Sequence, residues 1–273
     1  MTSKMTEEEK REFFRKKFLN STIQNDFMFC QVMQDEAICT KVLNILLQNF
    51  FDIGTINVSI PQATIENHPE LKFVRLDVLA TDEAGNSYDI EMQVVNRKNI
   101  EKRMRAYQAA IDMNKMKKRK DYNELTNTII IFITPFDPIG EGLPVYFFEM
   151  CCRGRESIKM NDGAYRVIFN IKASKDVKGD RLRELLDFFE TGKATTGVAK
   201  EMEMRVSEIK SDSIVFEDFF STFASITDAR NDGRAEGRAE GIRTTARNLL
   251  SIGLPKDKIA QATGLSQEEI EKL

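Results

Sequence analysis

The chain has very few of the side chains that bind transition metals: one histidine, His68, and four cysteines among 273 residues. Cys30, Cys39, Cys151 and Cys152 form no C-x-x-C pair, and a single histidine cannot complete the usual zinc site. The sequence therefore excludes zinc fingers, H-E-x-x-H hydrolases and nucleases that depend on histidine. We expect free thiols in a reducing compartment, and hence a cytoplasmic protein.

Long hydrophobic runs and phosphate-binding glycine loops are also missing from the sequence. No segment approaches the roughly 20 apolar residues that a membrane span requires. The stretch from Met1 to Phe18 is charged throughout, unlike a signal peptide. The formal net charge is −3, which gives no overall basic field, so any nucleic-acid site must be a local patch.

Two stretches of alternating apolar and polar residues between Phe73 and Val95 predict a β-hairpin. Apolar residues recur at every second position of 74–80 and again of 88–94. Between them, Gly85 or Asn86 can adopt the positive φ of a tight turn. Because the apolar face of the hairpin is continuous, we expect it to lie centrally in the fold.

Pairing across this hairpin predicts a meeting of two carboxylates. With the turn centred on Ala84, Asp77 lies opposite Glu91, with Cβ atoms roughly 5 Å apart. Such carboxylates repel unless a proton or a cation lies between them, and one hard divalent ion can bridge both. Gln93 and Arg75 add an amide and a guanidinium suited to a water and a phosphate. The alternative is a hairpin with a solvated polar face.

Three motifs carry a resemblance to a known family: R-L-D at 75–77, Y-D-I-E-M-Q at 88–93 and R-M-R-A-Y-Q at 103–108. They resemble the PD-(D/E)xK nuclease family transposases, the recombination-promoting nuclease group. The resemblance runs from about Asn25 to Glu149, with a looser one over the glycine-punctuated tail. It implies an α/β fold with a restriction-endonuclease-like core, in which helices flank a mixed central sheet, and metal-dependent cleavage of DNA.

Carried over position by position, the resemblance makes Asp77 and Glu91 ligands of Mg²⁺, with Mn²⁺ as a substitute. Gln93 stands at the place of the motif lysine, and a neutral amide orients a water but does not stabilise charge as an ammonium does. Asp26 is a further candidate ligand, because the N-D-F-M-F run at 25–29 resembles the family's opening signature. The favoured alternative is that Asn25 or Asp26 caps a second helix, after a first helix capped by Thr6.

A helix capped by Asn99 is predicted to run from Ile100 to about Lys120, with Tyr107 in its buried stripe. Arg103 is a candidate phosphate contact. Tyr107 would position the phosphate or the attacking water, or would otherwise be a core aromatic with a bonded hydroxyl. The helix ends in the densest basic cluster of the chain, the first candidate for contact with the DNA backbone. The cluster contains Lys115, Lys117, Lys118, Arg119 and Lys120.

The T-I-I-I-F-I-T run at 128–134 is apolar on both faces, as in a central strand covered by helices, and the helix before it makes a βαβ crossover. Two further strands are expected, at about 145–151 and 165–171. They are followed by helices around 181–190 and 195–207.

The last part of the chain differs in composition, and we expect a nuclease-like domain at 1–212 and a helical tail at 213–273. In the tail, Arg-Ala-Glu-Gly at 234–237 repeats at 238–241, and glycines recur every fourth residue. This stripe predicts a semi-flexible connector or a surface through which copies pair into a homo-oligomer. The end of the tail, Pro255–Lys272, outlines a helix-turn-helix whose acidic second helix favours packing over reading of DNA.

Three functions follow from these patterns. The first is a metal-dependent DNA endonuclease that hydrolyses phosphodiester bonds and promotes recombination or transposition. The second is a catalytically weak or inactive DNA-binding or regulatory module that has kept the fold, which Gln93 and the acidic balance favour. The third is an assembly protein whose tail drives oligomerisation.

Overall fold

The computed structural model describes residues 5–48, 50–51, 56–60, 76–116 and 121–273. Arg75, the basic residues 117–120 and His68 lie outside the described residues. The described chain divides into two compact units, one of Asn20–Asp212 and one of Met1–Leu19 with Ser213–Leu273. The boundary after 212 coincides with the division expected from the sequence, but the first helix groups with the tail. The two-domain assignment stays a prediction.

The larger unit combines short helices with a central sheet. Its helices are α2 (Asp26–Met33), α3 (Glu36–Leu47), α4 (Ile100–Lys115), α5 (Asp180–Thr191) and α6 (Gly197–Ser211). Its strands are β1 (Val58–Ser59), β2 (Val78–Asp82), β3 (Ser87–Met92), β4 (Thr128–Thr134), β5 (Val145–Phe148), β6 (Cys151–Cys152), β7 (Arg155–Lys159) and β8 (Ala164–Asn170). Among the described residues, six of these strands form one sheet in the order β1-β2-β3-β4-β8-β5.

The sheet is mixed. Strands β3, β4 and β8 run parallel, while β1, β2 and β5 pair antiparallel with their neighbours. Helix α4 connects β3 to β4, which is the crossover expected from the sequence. The predicted fold class, a restriction-endonuclease-like α/β core with a mixed sheet flanked by helices, is therefore confirmed. All seven residues of β4 are buried, as its apolar sequence indicates.

Helix caps and helix ends refine several predictions. Asn25, not Asp26, caps α2, because its side chain accepts a hydrogen bond from the Met28 N–H at 3.2 Å. Asn99 occupies the N-cap position of α4, but in the described structure its side chain makes no capping hydrogen bond. Helix α4 ends at Lys115 and not near Lys120. The chain direction changes there, because Met116 leaves the helical conformation.

The strand expected at 145–151 is shorter than predicted. Strand β5 ends at Phe148, and the following residues form a separate two-stranded sheet from β6 and β7. In strand β3 all six residues are buried, so the alternative of a solvated polar face is wrong for this strand and the expected central position fits. Helix α4 covers the second face with an apolar layer that includes Ile130, Phe132 and Ile168.

The smaller unit is helical, with α1 (Glu7–Asn20), α7 (Ser213–Ser251), α8 (Lys256–Thr263) and α9 (Gln267–Glu271). A capping box begins α1, since Thr6 Oγ1 accepts from the Glu9 N–H and Glu9 accepts from the Thr6 N–H. Helices α8 and α9 fold against the end of α7 around Ala246, Ile259 and Ile270. No helix among the described residues is both long enough and apolar enough to cross a membrane.

Candidate active site

The hairpin formed by β2 and β3 has the register expected from the sequence. Val78 pairs with Ile90 and Ala80 with Tyr88, so one further step places Asp77 opposite Glu91. The Asp77 N–H donates a hydrogen bond to Glu91 Oε1 at 2.8 Å. In return, the Met92 N–H donates to Asp77 Oδ2 at 3.1 Å. Each carboxylate is thus held by the main chain of the opposite side of the hairpin.

Arg103 on α4 reaches this acid pair from above the sheet. Its guanidinium forms an ion pair with Glu91 Oε2 at 3.1 Å and also donates to Gln93 Oε1. Two of its nitrogens donate to the Tyr107 hydroxyl, at 2.7 and 3.2 Å. The guanidinium carbon lies 5.2 Å from the ring centroid of Phe132, which adds a cation–π contact. Arg103 therefore ties Glu91, Gln93 and Tyr107 into one network.

Asp89 is a third acid on the same face of β3. It pairs laterally with Leu79 and Ile130, both of which belong to the apolar layer beneath α4. Its side chain is fully buried, and neither carboxylate oxygen has a hydrogen-bond partner among the described residues. A buried, unpaired carboxylate is costly in its charged form, so Asp89 favours a proton or a nearby cation.

The acids shift each other's protonation equilibria. Burial, followed by the charge of Asp77, raises the pKa of Asp89 well above its usual range, while Arg103 opposes the shift. Burial also raises the pKa of Glu91, and the charges of Asp89 and Asp77 add to it. The Asp77 N–H and Arg103 act in the opposite direction on Glu91. Burial and mutual repulsion thus favour the protonated forms of Asp89 and Glu91, and Arg103 opposes this.

A cavity of about 930 Å³ opens over the acid pair. It collects the candidates Asp26, Asp77, Glu91, Gln93, Arg103 and Tyr107 from four separate stretches of the chain. The structure thus brings together every predicted catalytic and metal-binding residue, although their roles remain predictions. The Tyr107 hydroxyl is hydrogen-bonded to Arg103, as expected if Tyr107 is a core aromatic residue. Its side chain nevertheless also lines the cavity.

The predicted DNA contacts are not brought together in this way. Lys115 lies at the other end of α4, where its ammonium donates to Gly85 O at 2.9 Å and Thr126 Oγ1 at 2.8 Å. Burial lowers the pKa of Lys115. These bonds indicate a structural role that ties α4 to the hairpin turn. Arg75, Lys117, Lys118, Arg119 and Lys120 lie outside the described residues.

Sequence reasoning missed several residues of the cavity. Arg97, Asn99 and Lys102 line it around the start of α4, and Val95 and Met113 give it an apolar wall. The R-K-N-I-E-K-R run at 97–103 contains four cations where the chain leaves β3. This run predicts basic side chains near the acid pair, although the basic run at 115–120 is denser. The apolar wall has no such signal, because single exposed apolar residues such as Val95 and Met113 are common on protein surfaces.

The donor set suits a hard divalent ion. Asp77 and Glu91 offer carboxylate oxygens from the two sides of the hairpin, and repulsion between the acids favours a proton or a cation near them. In the described part of the chain, no group of three or more His, Cys, Asp or Glu side chains is arranged to hold a metal ion. The fit therefore rests on the two carboxylates of Asp77 and Glu91.

A mixed sheet with an acid pair beside a crossover helix defines a nuclease-like α/β core. Residues 23–141 match the family model of the PD-(D/E)XK nuclease family transposase, so the resemblance seen in the sequence is confirmed over that segment. The match supports a nuclease- or transposase-like function. No curated protein and no solved structure matches the chain.

Proposed function

We propose that the protein is a metal-dependent endonuclease that hydrolyses phosphodiester bonds in DNA. The observation that carries the proposal is the reciprocal bonding of Asp77 and Glu91, each held by the opposite main chain at the floor of one cavity. This arrangement fixes two carboxylates side by side. Preorganised charge of this kind is what hydrolysis of a phosphodiester requires.

Asp77 and Glu91 would hold Mg²⁺ or Mn²⁺, with the main-chain oxygen of Met92 as a further donor. When bound, the cation supplies activation of a water and stabilisation of the charge that develops on the phosphate. The oxygen-only donor set excludes a preference for the softer metals that thiolates and imidazoles select.

The remaining residues of the network bind and orient. Gln93 is held at both ends of its amide, since Oε1 accepts from Arg103 and Nε2 donates to Val95 O at 2.7 Å. The Tyr107 hydroxyl accepts hydrogen bonds from two N–H groups of Arg103. Its own proton therefore points away from Arg103 and can be donated in a hydrogen bond to a water or a phosphate oxygen. The positive side chains of Arg97 and Lys102 at the rim of the cavity attract the DNA backbone.

We also propose that cleavage promotes recombination or transposition, which the family description supports. A homo-oligomer formed through the tail is a further proposal. Its support is that a Cβ added at Gly233, Gly237 or Gly241 of α7 meets nothing within 4 Å in the described residues. This face of α7 can thus approach a second helix closely.

A catalytically inactive DNA-binding module is the second candidate. One observation favours it: Arg103 is already paired with Glu91. The resemblance, which puts Gln93 at the place of the motif lysine, points the same way. An arginine engaged in this way is less available for phosphate.

Nicking of supercoiled plasmid in Mg²⁺ tests the proposal, using Asp77→Asn and Glu91→Gln as variants of nearly equal size. We expect each to lower the rate by roughly 100-fold or more, while Asp180→Asn, at a carboxylate that is 99% exposed, cuts as the wild type does. Undiminished nicking by Asp77→Asn would rule the site out. A wild type that binds DNA tightly yet leaves it intact in Mg²⁺ and Mn²⁺ would establish the inactive module.

A further inference from the structure

We infer that the ribbon formed by β6 and β7 is a second DNA-binding surface, separate from the acid site, that grips the sugar-phosphate backbone of duplex DNA. It goes beyond the endonuclease activity, because it concerns where the duplex is held and not where it is cut. The ribbon spans Met150–Met160, and its strands pair with each other but not with the six-stranded sheet.

The ribbon projects into solvent. Every residue from 150 to 162 is exposed, including the large apolar side chains of Met150 (54% exposed), Ile158 (47%) and Met160 (65%). A two-stranded hairpin without a covered face is marginally stable in water, so exposed apolar side chains on one are a cost that contact with a partner removes.

The cations at the tip of the ribbon attract a polyanion. Its tip is Arg153-Gly154-Arg155, in which Gly154 has φ of +82° and allows the turn. Neither arginine of the tip forms an ion pair with another residue that the structure describes. The carboxylate of Glu156 accepts the Gly154 N–H at 3.1 Å and so stabilises the turn. At the base, Lys159 is neutralised by Glu149 at 2.6 Å.

The pairing within the ribbon is irregular. Cys152 pairs with Arg155 and Cys151 with Lys159, so three residues of β7 lie between paired positions where β6 has none. Because directly paired residues lie side by side on one face, Cys151 is a neighbour of Lys159. The exposed thiol of Cys151 therefore reports on whatever covers this part of the ribbon.

The ribbon and the acid pair lie at opposite ends of the sheet. The ribbon leads into β8 at Ala164, which pairs with Thr128, and Thr128 pairs with Ser87 at the start of β3. Glu91 is four residues further along β3, a separation of about 13 Å at the rise of an extended strand. A duplex that reaches both ends therefore makes two distinct sets of contacts.

The first test measures binding of a blunt duplex in EDTA across a range of salt concentrations, so that no cleavage is needed. The double variant Arg153→Ala/Arg155→Ala should bind at least tenfold more weakly at low salt, and its salt slope should fall by about 2, one for each lost phosphate contact. The matched control Lys175→Ala/Lys178→Ala removes two exposed cations elsewhere in the same unit and should change neither quantity. Glu156→Gln keeps the acceptor for Gly154, removes a negative charge and should tighten binding.

A second test uses alkylation of Cys151, which duplex DNA should slow. Unchanged affinity and slope in the double arginine variant, an equal loss in the lysine control, or alkylation that DNA does not slow would each overturn the inference. A change in oligomeric state of the double variant without a change in DNA affinity would overturn it as well, in favour of contact between copies. Because binding is measured without metal, an inactive acid site does not affect the outcome.

Discussion

Arg103 and Glu91 form an ion pair at 3.1 Å across the junction of helix α4 and strand β3. The same guanidinium donates to Gln93, which the resemblance to the family predicts to occupy the place of the motif lysine. A positive charge is thus present beside the acid pair, but it arrives from the crossover helix. Gln93 orients this charge instead of carrying it. The replacement of lysine by glutamine therefore does not by itself leave the acids without a cation.

The first prediction concerns this arginine. Arg103→Ala should lower nicking by roughly 100- to 1000-fold, the cost of removing a preorganised charge from a site. Because Glu91 is left buried without its partner, the free energy of unfolding should also fall by about 2–5 kcal/mol. Arg103→Lys should recover part of both, since it restores charge but not the planar fork that bonds three groups.

Plasmid nicking and urea unfolding measure the two effects. Arg105→Ala, on the exposed side of α4, is the matched control and should behave as the wild type. If Arg103→Ala unfolded at the same urea concentration as Arg105→Ala, the ion pair would contribute nothing to stability.

The second prediction is a dependence of stability on pH that Asp89 causes. Burial and the charge of Asp77 raise its pKa in the folded protein, whereas the unfolded chain has an ordinary value of about 3.9. Between these values the folded state binds more protons, so stability falls as pH rises, by at most about 1.4 kcal/mol per pH unit for one group. Asp89→Asn removes this titration and should flatten the slope, leaving the part that Glu91 contributes.

Urea unfolding in EDTA at roughly pH 5 and roughly pH 8 makes the comparison. We expect Asp89→Asn to gain stability relative to the wild type at the higher pH. Equal destabilisation at both values would instead mean that the carboxylate is ionised and satisfied in the folded protein.

The acid pair could be predicted from the sequence because it depends on local order. A turn centred on Ala84 and strict alternation on both sides are sufficient to bring Asp77 opposite Glu91. The central strand β4 could also be predicted from the sequence, because a run that is apolar on both faces fits only a strand covered on both sides.

The solvation of β3 could not be predicted in the same way. Asp89, Glu91 and Gln93 look like a solvated face, because alternation does not reveal whether a helix will cover polar positions. The hydrogen-bond partners of Arg103 and Lys115 could not be predicted from the sequence either. Long side chains on one helix meet residues that are distant in sequence, and the crossover geometry decides which ones.

The third prediction separates structure from DNA binding at Lys115. Its ammonium holds Gly85 and Thr126, so Lys115→Met should lower the free energy of unfolding by about 1–2 kcal/mol, after allowance for its partial exposure. The salt slope of DNA binding should not change. Lys175→Met at an exposed position is the control. A slope reduced by about 1 with unchanged stability would make Lys115 a phosphate contact after all.

The last prediction concerns the glycine stripe of α7. If copies of the chain pair through it, Gly237→Leu should block the close approach of two helices, and light scattering should report a lower mass. Ala235→Leu, on a different face of the helix, should leave the mass unchanged. If the stripe is only a connector, both variants keep the wild-type mass, and Gly237→Ala stabilises α7 by about 1 kcal/mol because an added Cβ meets no neighbour within 4 Å. The pairing hypothesis and the connector hypothesis therefore predict different masses for Gly237→Leu. Removal of the chain beyond about residue 228 should abolish any oligomer that the tail forms.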